Sequence, residues 1–321
     1  MRYTRGPRDT RDNPVKKVYA VEGGKVQESQ EETGPILLFS APTEAEKRYL
    51  VDQLKMDEHT LASAMDPNEL PRVEFEPEHA AVILNRPKKY RSEDGLVFRS
   101  ASMGVFLFAD KLVIVVAEDA EIFDRPKFFS RMRSLREVFL RVVYRSTFHF
   151  LDHLAAINTI SDELEHKVNT SLQNDYLIQL FNLEKGLVYL VNAIRYNGAL
   201  IERLRHSAAK LGLSAEEIEL LDDIAIDNNE SCKQAEIHST IVASLMDARV
   251  SIVNNNLNHL IKRLNYIMIA LMWPTLASAL FSMNVRLPLD QREGLGSFWF
   301  IMAIAFIPVF LTTLWYWRRR G

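Results

Sequence analysis

Oxygen-bearing side chains recur at helical spacing in the last third of the chain, and their types suit a hydrated cation. Steps of three or four residues stay on one face of a helix. One such series contains Asp247, Ser251, Asn254, Asn258, Ile261, Asn265, Met268, Met272, Thr275 and Ala279. Mg²⁺ gives up its waters reluctantly and prefers oxygen ligands. Copies of this helix around one axis would form rings of oxygens, followed by an apolar neck that can exclude water. An exposed polar face in water, continued by ordinary helix packing, is the alternative interpretation, and periodicity does not separate the two.

The chain offers little of the chemistry of an enzyme. His149 and His153 are four residues apart and could share a metal on a helix, but Phe150 stands where a metalloprotease has its general base. Hydrogen-bonded or solvated histidines are the alternative. No Ser/His/Asp set and no Gly-rich phosphate loop stands out, and one cysteine, Cys232, allows no disulfide within the chain. We therefore predict a protein that is not an enzyme and has no bound cofactor.

Two uncharged segments near the C-terminus predict membrane helices. Residues 264–281 and 298–317 contain no Asp, Glu, Lys or Arg, and about 20 apolar residues suffice to cross a bilayer. Aromatic residues open and close the second segment, as expected at membrane interfaces. A buried core hairpin is the alternative interpretation.

The distribution of charge predicts the topology and the partners. Basic residues precede the first segment and close the chain at 318–321, so the positive-inside rule places both termini in the cytoplasm of a multi-pass protein of the cell membrane. The loop 282–297 would then lie outside. The net charge of −3 gives no indication of a nucleic-acid partner.

The remaining sequence predicts an α+β protein. Short runs of β-branched and aromatic residues predict strands, and apolar residues at helical spacing follow from about residue 127. Ser214 and Glu217 form a capping box that opens a helix of 67 residues, ending at Phe281. A helix of roughly 100 Å needs partner helices, which predicts an oligomer or a bundle. The predicted order is a disordered basic tail over 1–34, a cytoplasmic α/β domain over 35–125, a helical stalk over 126–263, and then the two membrane segments, their loop and the basic tail.

The end of the first membrane segment resembles the signature of a known family. Phe281-Ser282-Met283-Asn284 resembles the Tyr-Gly-Met-Asn motif of the CorA family of divalent metal-ion channels. The stretch 245–264, with a leading aspartate, a later asparagine and basic residues at the membrane boundary, is similar to the family's stalk-to-membrane helix. The order of the predicted domains agrees with the family as well.

The resemblance implies a funnel-shaped homopentamer in the lipid bilayer that conducts divalent cations, Mg²⁺ first of all, with the first membrane helix lining the pore. It places Asn284, with Ser282 and Met283, at the outer mouth and Thr275 deeper on the pore face. Asn258 and Asp247 would form inner rings, and Ile261, Leu264 and Met272 would form the hydrophobic gate. It also implies a regulatory metal site in the cytoplasmic part at Asp223, with Asp222 and Asp227 as neighbours.

Two departures from the family pattern leave the identity of the transported ion undecided. Ser282 replaces the glycine of the signature, and five copies of Arg286 in the outer loop would repel a dication. The related ZntB zinc transporters also depart from the motif, so Zn²⁺, Co²⁺ or Ni²⁺ is an alternative cargo, and transport could be passive or proton-coupled. A membrane-anchored sensor or scaffold that conducts nothing is the alternative from another class.

Overall fold

The computed structural model describes residues 15–31, 33–88, 96–170, 175–283 and 295–318. The chain divides into two compact units, Met1–Met246 and Asp247–Gly321. The first unit contains a mixed sheet and the helices packed on it, and the second contains apolar helix.

The first unit contains one seven-stranded sheet, in the order β2-β1-β3-β7-β6-β5-β4. Only β3 and β7 pair in parallel, and every other neighbouring pair is antiparallel. The strands are β1 (Val15–Glu22), β2 (Lys25–Ser29), β3 (Ile36–Ser40), β4 (Arg72–Phe75), β5 (His79–Pro87), β6 (Ser100–Phe108) and β7 (Leu112–Val116).

The central strands are apolar on both faces because helices or loops cover each side of the sheet. In β3, Ile36 and Leu38 pack into one core cluster and Leu37 and Phe39 into the other. The second cluster includes residues of α1 (Glu44–Asp52) and α2 (Glu58–Ser63). Burial on both faces explains why these strands read as continuous apolar runs in the sequence.

The structure corrects the predicted disordered tail over 1–34 where β1 and β2 form. The two strands pair as an antiparallel hairpin around Gly23 and Gly24, both of which have positive φ. A Gly-Gly pair between two strand-like runs is a hairpin signal, and the basic character of the segment concealed it. Residues 1–14 lie outside the described part of the chain.

Long helices follow the sheet, as the sequence predicts. They are α3 (Leu135–Thr170), α4 (Asp175–His206), the short α5 (Ala208–Leu211), α6 (Ala215–Phe281) and α7 (Leu295–Arg318). The predicted start of α6 is confirmed, because Glu217 N donates to Ser214 Oγ at 3.2 Å and Ser214 N donates to Glu217 Oε2 at 2.8 Å. Its predicted length of 67 residues is confirmed too.

By length and composition, one helix of the described residues, α6, can cross a membrane, and only 6% of its most apolar window is buried. Within α7, Phe298–Leu314 forms a shorter apolar stretch. The second predicted membrane segment therefore stays a prediction. In the second unit, most of the described apolar side chains are exposed, others are partly buried, and Ala277 and Ala305 are buried.

A buried amide joins the sheet to α4. Asn197 accepts from the backbone N–H of Asn85 at 2.9 Å and donates to the carbonyl of the same residue at 2.7 Å. Ser146 of α3 donates to this carbonyl at 2.8 Å. One residue of β5 thus holds two helices, and its backbone groups depend on side chains because they are buried.

We expect Asn197→Ala to lower the free energy of unfolding by about 1–3 kcal/mol, because the substitution leaves a buried backbone N–H without its partner. Asn192→Ala is the matched control, since Asn192 is exposed on the same helix. The measurement is the denaturant-induced unfolding of the detergent-solubilised protein. Equal midpoints for the two variants would contradict a role for this amide in joining sheet and helix.

Candidate functional site

The polar face predicted from Asp247 onward lies on α6, and its side chains are exposed in the single chain. Exposure itself does not distinguish this face, because Leu260 and Ile267 are at least half exposed on another side of the helix. The oxygen-bearing side chains do distinguish it. The predicted residues of this face are all exposed, and so is the predicted gate residue Leu264; they are Asp247, Ser251, Asn254, Asn258, Ile261, Asn265, Met268, Met272, Thr275 and Ala279.

The hydroxyls of this face donate their protons to their own helix. Ser251 Oγ donates to the carbonyl of Asp247 at 3.1 Å, and Thr275 Oγ1 donates to the carbonyl of Leu271. Each oxygen keeps lone pairs that point away from the bonded carbonyl. Among the described residues, the amides of Asn254 and Asn258 make no hydrogen bond. The face therefore offers oxygen acceptors to an ion or its water.

The predicted gate residues are large, apolar and uncovered. Ile261 is 52% exposed, Leu264 51% and Met272 66%. Such side chains cannot hold a cation, but a ring of them can exclude water. Their position, C-terminal to Asn258 on the helix, matches the predicted order of polar rings followed by an apolar neck.

The predicted outer mouth begins where α6 ends. The last residue of the helix is Phe281, and Ser282 N donates to the carbonyl of Ser278 at 3.0 Å. Ser282 Oγ donates to the carbonyl of Ala279 at 3.1 Å, and Met283 is 55% exposed. Asn284 and Arg286 lie outside the described residues, so their predicted roles stay predictions.

The three predicted regulatory aspartates differ in their surroundings. Asp222 lies 3.4 Å from Arg205 Nε, and Asp227 accepts a hydrogen bond from the phenol of Tyr144 at 2.8 Å. Burial, together with this carboxylate, raises the pKa of Tyr144 to about 12. Asp223 is exposed and, within the described part of the chain, makes no ion pair or hydrogen bond.

No three metal-ligating side chains come together in the described residues. A cation at Asp223 would therefore need ligands from water or from another copy of the chain.

The structure does not bear out solvated or hydrogen-bonded rings for the His149 and His153 pair, since both side chains are partly buried and His153 Nδ1 has no hydrogen-bond partner among the described residues. Their rings are 4.8 Å apart, and burial lowers the pKa values to about 3 and about 4. The nearby carboxylates are occupied, since Asp124 pairs with Arg145 and Asp152 pairs with Arg125, both at 2.8 Å. The pair lacks a free third ligand there.

Sequence reasoning missed two buried arginines beside this pair. Arg86 and Arg145 are each 6% exposed. The signal for Arg86 is its position at the end of the apolar run of β5, where a charged side chain is rarely buried without a partner. No comparable signal marks Arg145, which sits at a helical position among other polar residues.

Comparisons with known proteins agree with the fold and with the order of its elements. A cobalt/magnesium transport protein, CorA of Methanocaldococcus jannaschii, is 21% identical over 289 residues, which cover 87% of this chain and 88% of that protein. The complete structure of the CorA magnesium transporter from the same organism superimposes with a TM-score of 0.79 at 17% identity, covering 96% of this chain and 98% of that chain.

Two further structures share the fold. The full-length CmaX protein gives a TM-score of 0.67 at 13% identity, covering 98% of this chain and 99% of its own. The ZntB cytoplasmic domain of Vibrio parahaemolyticus gives a TM-score of 0.58 at 13% identity and covers 75% of this chain and 98% of that domain. Residues 36–319 match the family described as CorA-like Mg²⁺ transporter protein. The chain therefore belongs to the CorA-like family of Mg²⁺ transporters.

Proposed function

We propose that this protein is a homopentameric channel that conducts hydrated divalent cations, Mg²⁺ first of all, along the polar face of α6. The observation that carries the proposal is the series of oxygen acceptors on that face, whose hydroxyl protons are turned back onto the helix. Family membership supports transport of a divalent cation. Neutral oxygens suit an ion that keeps its hydration shell.

The membrane part consists, in this proposal, of residues 264–281 of α6 and residues 298–317 of α7, with both termini in the cytoplasm. The exposed apolar side chains of both helices support contact with lipid or with other copies. A dication that crosses a membrane potential of 100 mV gains on the order of 4–5 kcal/mol, twice the value for a single charge. The potential alone can therefore drive uptake.

The first unit has its own uncovered apolar surface, which supports self-association. On α4, Ile178 is 59% exposed and Phe181 is 54% exposed, and on α6 Ile226 is 65% exposed. Large apolar side chains grouped on one helix commonly mark a protein interface. Other copies of the chain are the partners that a pentamer would supply.

Within the proposed pore, Asn284 binds the hydrated ion at the outer mouth, with Ser282 and Met283 beside it. Thr275 lies deeper in the pore, and Met272, Leu264 and Ile261 form the hydrophobic gate. Asn258 and Asp247 bind the hydrated ion on the cytoplasmic side. A zinc transporter is the second candidate. Serine in the signature weakens the argument for Mg²⁺, because the loss of glycine alters how closely helix backbones approach at the mouth. A non-conducting sensor or scaffold is the candidate from another class.

Ion flux into proteoliposomes tests the proposal. The purified protein is reconstituted, and uptake of Mg²⁺, Co²⁺, Ni²⁺ and Zn²⁺ is measured with and without a membrane potential and a pH gradient. We expect uptake of Mg²⁺ that follows the potential. Zinc uptake driven by the pH gradient would favour the second candidate, and the absence of any metal flux would favour the sensor.

Matched variants connect the flux to the polar face. Asn258→Ala and Asn284→Ala should each lower Mg²⁺ flux about tenfold or more, in line with about 1.5 kcal/mol lost per charge-assisted contact. Asn256→Ala is the control, because Asn256 lies on the opposite side of α6 and its side chain is exposed, as that of Asn258 is. Equal flux through all variants would remove these amides from the ion path.

A regulatory cation at Asp223 is a second part of the proposal, supported by the free, exposed carboxylate. We expect Mg²⁺ to protect the first unit from limited proteolysis, and Asp223→Ala to abolish the protection. Asp222→Ala is the matched control, because that neighbouring carboxylate already pairs with Arg205. Protection of the Asp223→Ala variant equal to that of the unaltered protein would contradict the assignment.

A further inference from the structure

A small cavity lies in the first unit between β5, β6, the segment that follows β7, and α3. Its volume is about 180 Å³, and its walls include Arg86, Met103, Ala120, Arg145 and His149. Since one water occupies about 30 Å³ in the liquid, the space suits a handful of waters or one small molecule. It is too small for a nucleotide.

Arg86 brings a buried and incompletely paired guanidinium to this cavity. Its Nη2 lies 3.2 Å from Glu118 Oε1 and its Nη1 lies 3.3 Å from the carbonyl of Pro87. Its Nε is buried and has no hydrogen-bond partner in the described part of the chain. An unpaired buried donor costs about 1–3 kcal/mol, more when it is charged.

Arg145 of α3 is a second buried and incompletely paired arginine that lines this cavity. Its Nε and Nη2 form a two-point pair with Asp124 at 2.9 and 2.8 Å. Its Nη1 is buried without a hydrogen bond among the described residues, and Asp152 Oδ2 is 3.6 Å away. Two arginines from different elements thus line one cavity, and each has one buried nitrogen without a hydrogen bond among the described residues.

The charges around His149 show the sign of the local potential. Burial lowers the pKa of this histidine to about 3, and His153, Arg145 and Arg86 lower it further, against Asp124 alone. The neutral ring can still donate one N–H. The two other carboxylates of the cavity wall, Asp119 and Glu121, are exposed, so water screens them more than it screens the buried arginines.

We propose that this cavity binds a small monovalent oxyanion of the carboxylate type, such as formate, acetate or bicarbonate. The buried groups that lack partners on its walls are nitrogen donors, which match an oxyanion and repel a cation. The small volume and the exposed carboxylates of the wall disfavour a multiply charged ligand. The bound anion would join β5, the segment 119–124 and α3 by charge-assisted hydrogen bonds, and this role does not depend on ion conduction.

Calorimetric titration of the full-length protein in detergent tests the site. The probes are sodium formate, acetate, phosphate and chloride, and the thermal unfolding midpoint is recorded at each ligand concentration. We expect saturable binding of formate and acetate that raises the midpoint. No saturable binding of formate or acetate, or tighter binding of phosphate, would overturn the proposal.

Arg86→Met and Lys88→Met form a matched pair. Both remove one cation from Glu118, which pairs with Lys88 at 2.8 Å and with Arg86 at 3.2 Å, but only Arg86 lines the cavity. We expect Arg86→Met to weaken acetate binding about tenfold or more and Lys88→Met to leave it within about twofold. Ala120→Leu, which fills the cavity and leaves both ion pairs in place, should abolish binding. Equal binding by all three variants would overturn the proposal.

The pH dependence gives an independent readout. A bound anion raises the pKa of His149 above its value of about 3 in the empty site, so protonation and anion binding strengthen each other. The affinity for the ionised form of formate should rise as the pH falls through the pKa of His149 in the complex, and His149→Gln should remove this rise. An affinity of the unaltered protein for ionised formate that falls with decreasing pH would contradict an anion beside this ring.

Discussion

A helix with apolar side chains on every side cannot remain in water, and this constraint governs the second unit. Ile267, Met268 and Ile269 follow one another in α6, so their side chains lie about 100° apart around the helix, and each is at least 42% exposed. Burial of a leucine is worth about 1.5–3 kcal/mol, so lipid or other copies of the chain must cover this surface. The oxygen-bearing face is then the one that gains least from lipid, because polar groups in hydrocarbon need partners. In the proposed channel, this face would therefore turn towards other copies and water.

The start of α6 is fixed within the first unit by polar contacts that are few but buried. Asn228 donates to the carbonyl of Ile194 at 3.1 Å, close to Gly198, where an added Cβ would come within 2.9 Å of the same amide nitrogen. The phenol of Tyr144 reaches Asp227 one residue earlier. These contacts define the register of α6 on α3 and α4, because hydrogen bonds, unlike apolar contacts, are lost when a helix slides by one residue.

The sequence predicts the elements whose signals are local. The capping box at Ser214 and Glu217 marks the start of α6, and a stretch with no glycine and a single proline up to Phe281 predicts its length. The buried strands β3 and β7 are recognisable as apolar β-branched runs. The hairpin of β1 and β2 escapes prediction because its polar edge residues resemble a solvated tail, while pairing with β3 decides its structure.

The site is predictable only as far as it lies on one helix. The face from Asp247 to Thr275 follows from periodicity, because residues of one helix hold fixed relative positions. Periodicity does not predict that Asp222 pairs with Arg205 or that Asp227 pairs with Tyr144, since those partners come from α4 and α3. The cavity lined by Arg86 and Arg145 forms only where separate elements of the chain pack together. No residue spacing in the sequence predicts that contact.

The hydroxyl groups of Ser251, Thr275 and Ser282 have one further consequence. Each hydroxyl donates its only hydrogen to a backbone carbonyl of α6, so the hydroxyl oxygen presents lone pairs, and no hydrogen, to an approaching solute. Chloride or phosphate would find no hydroxyl donor at these three positions. A metal ion could bind the lone pairs, and the hydrogens of its coordinated water could donate to them. In the proposed pore, uncharged side chains would then discriminate by sign of charge, without the desolvation penalty that a ring of fixed negative charges would carry.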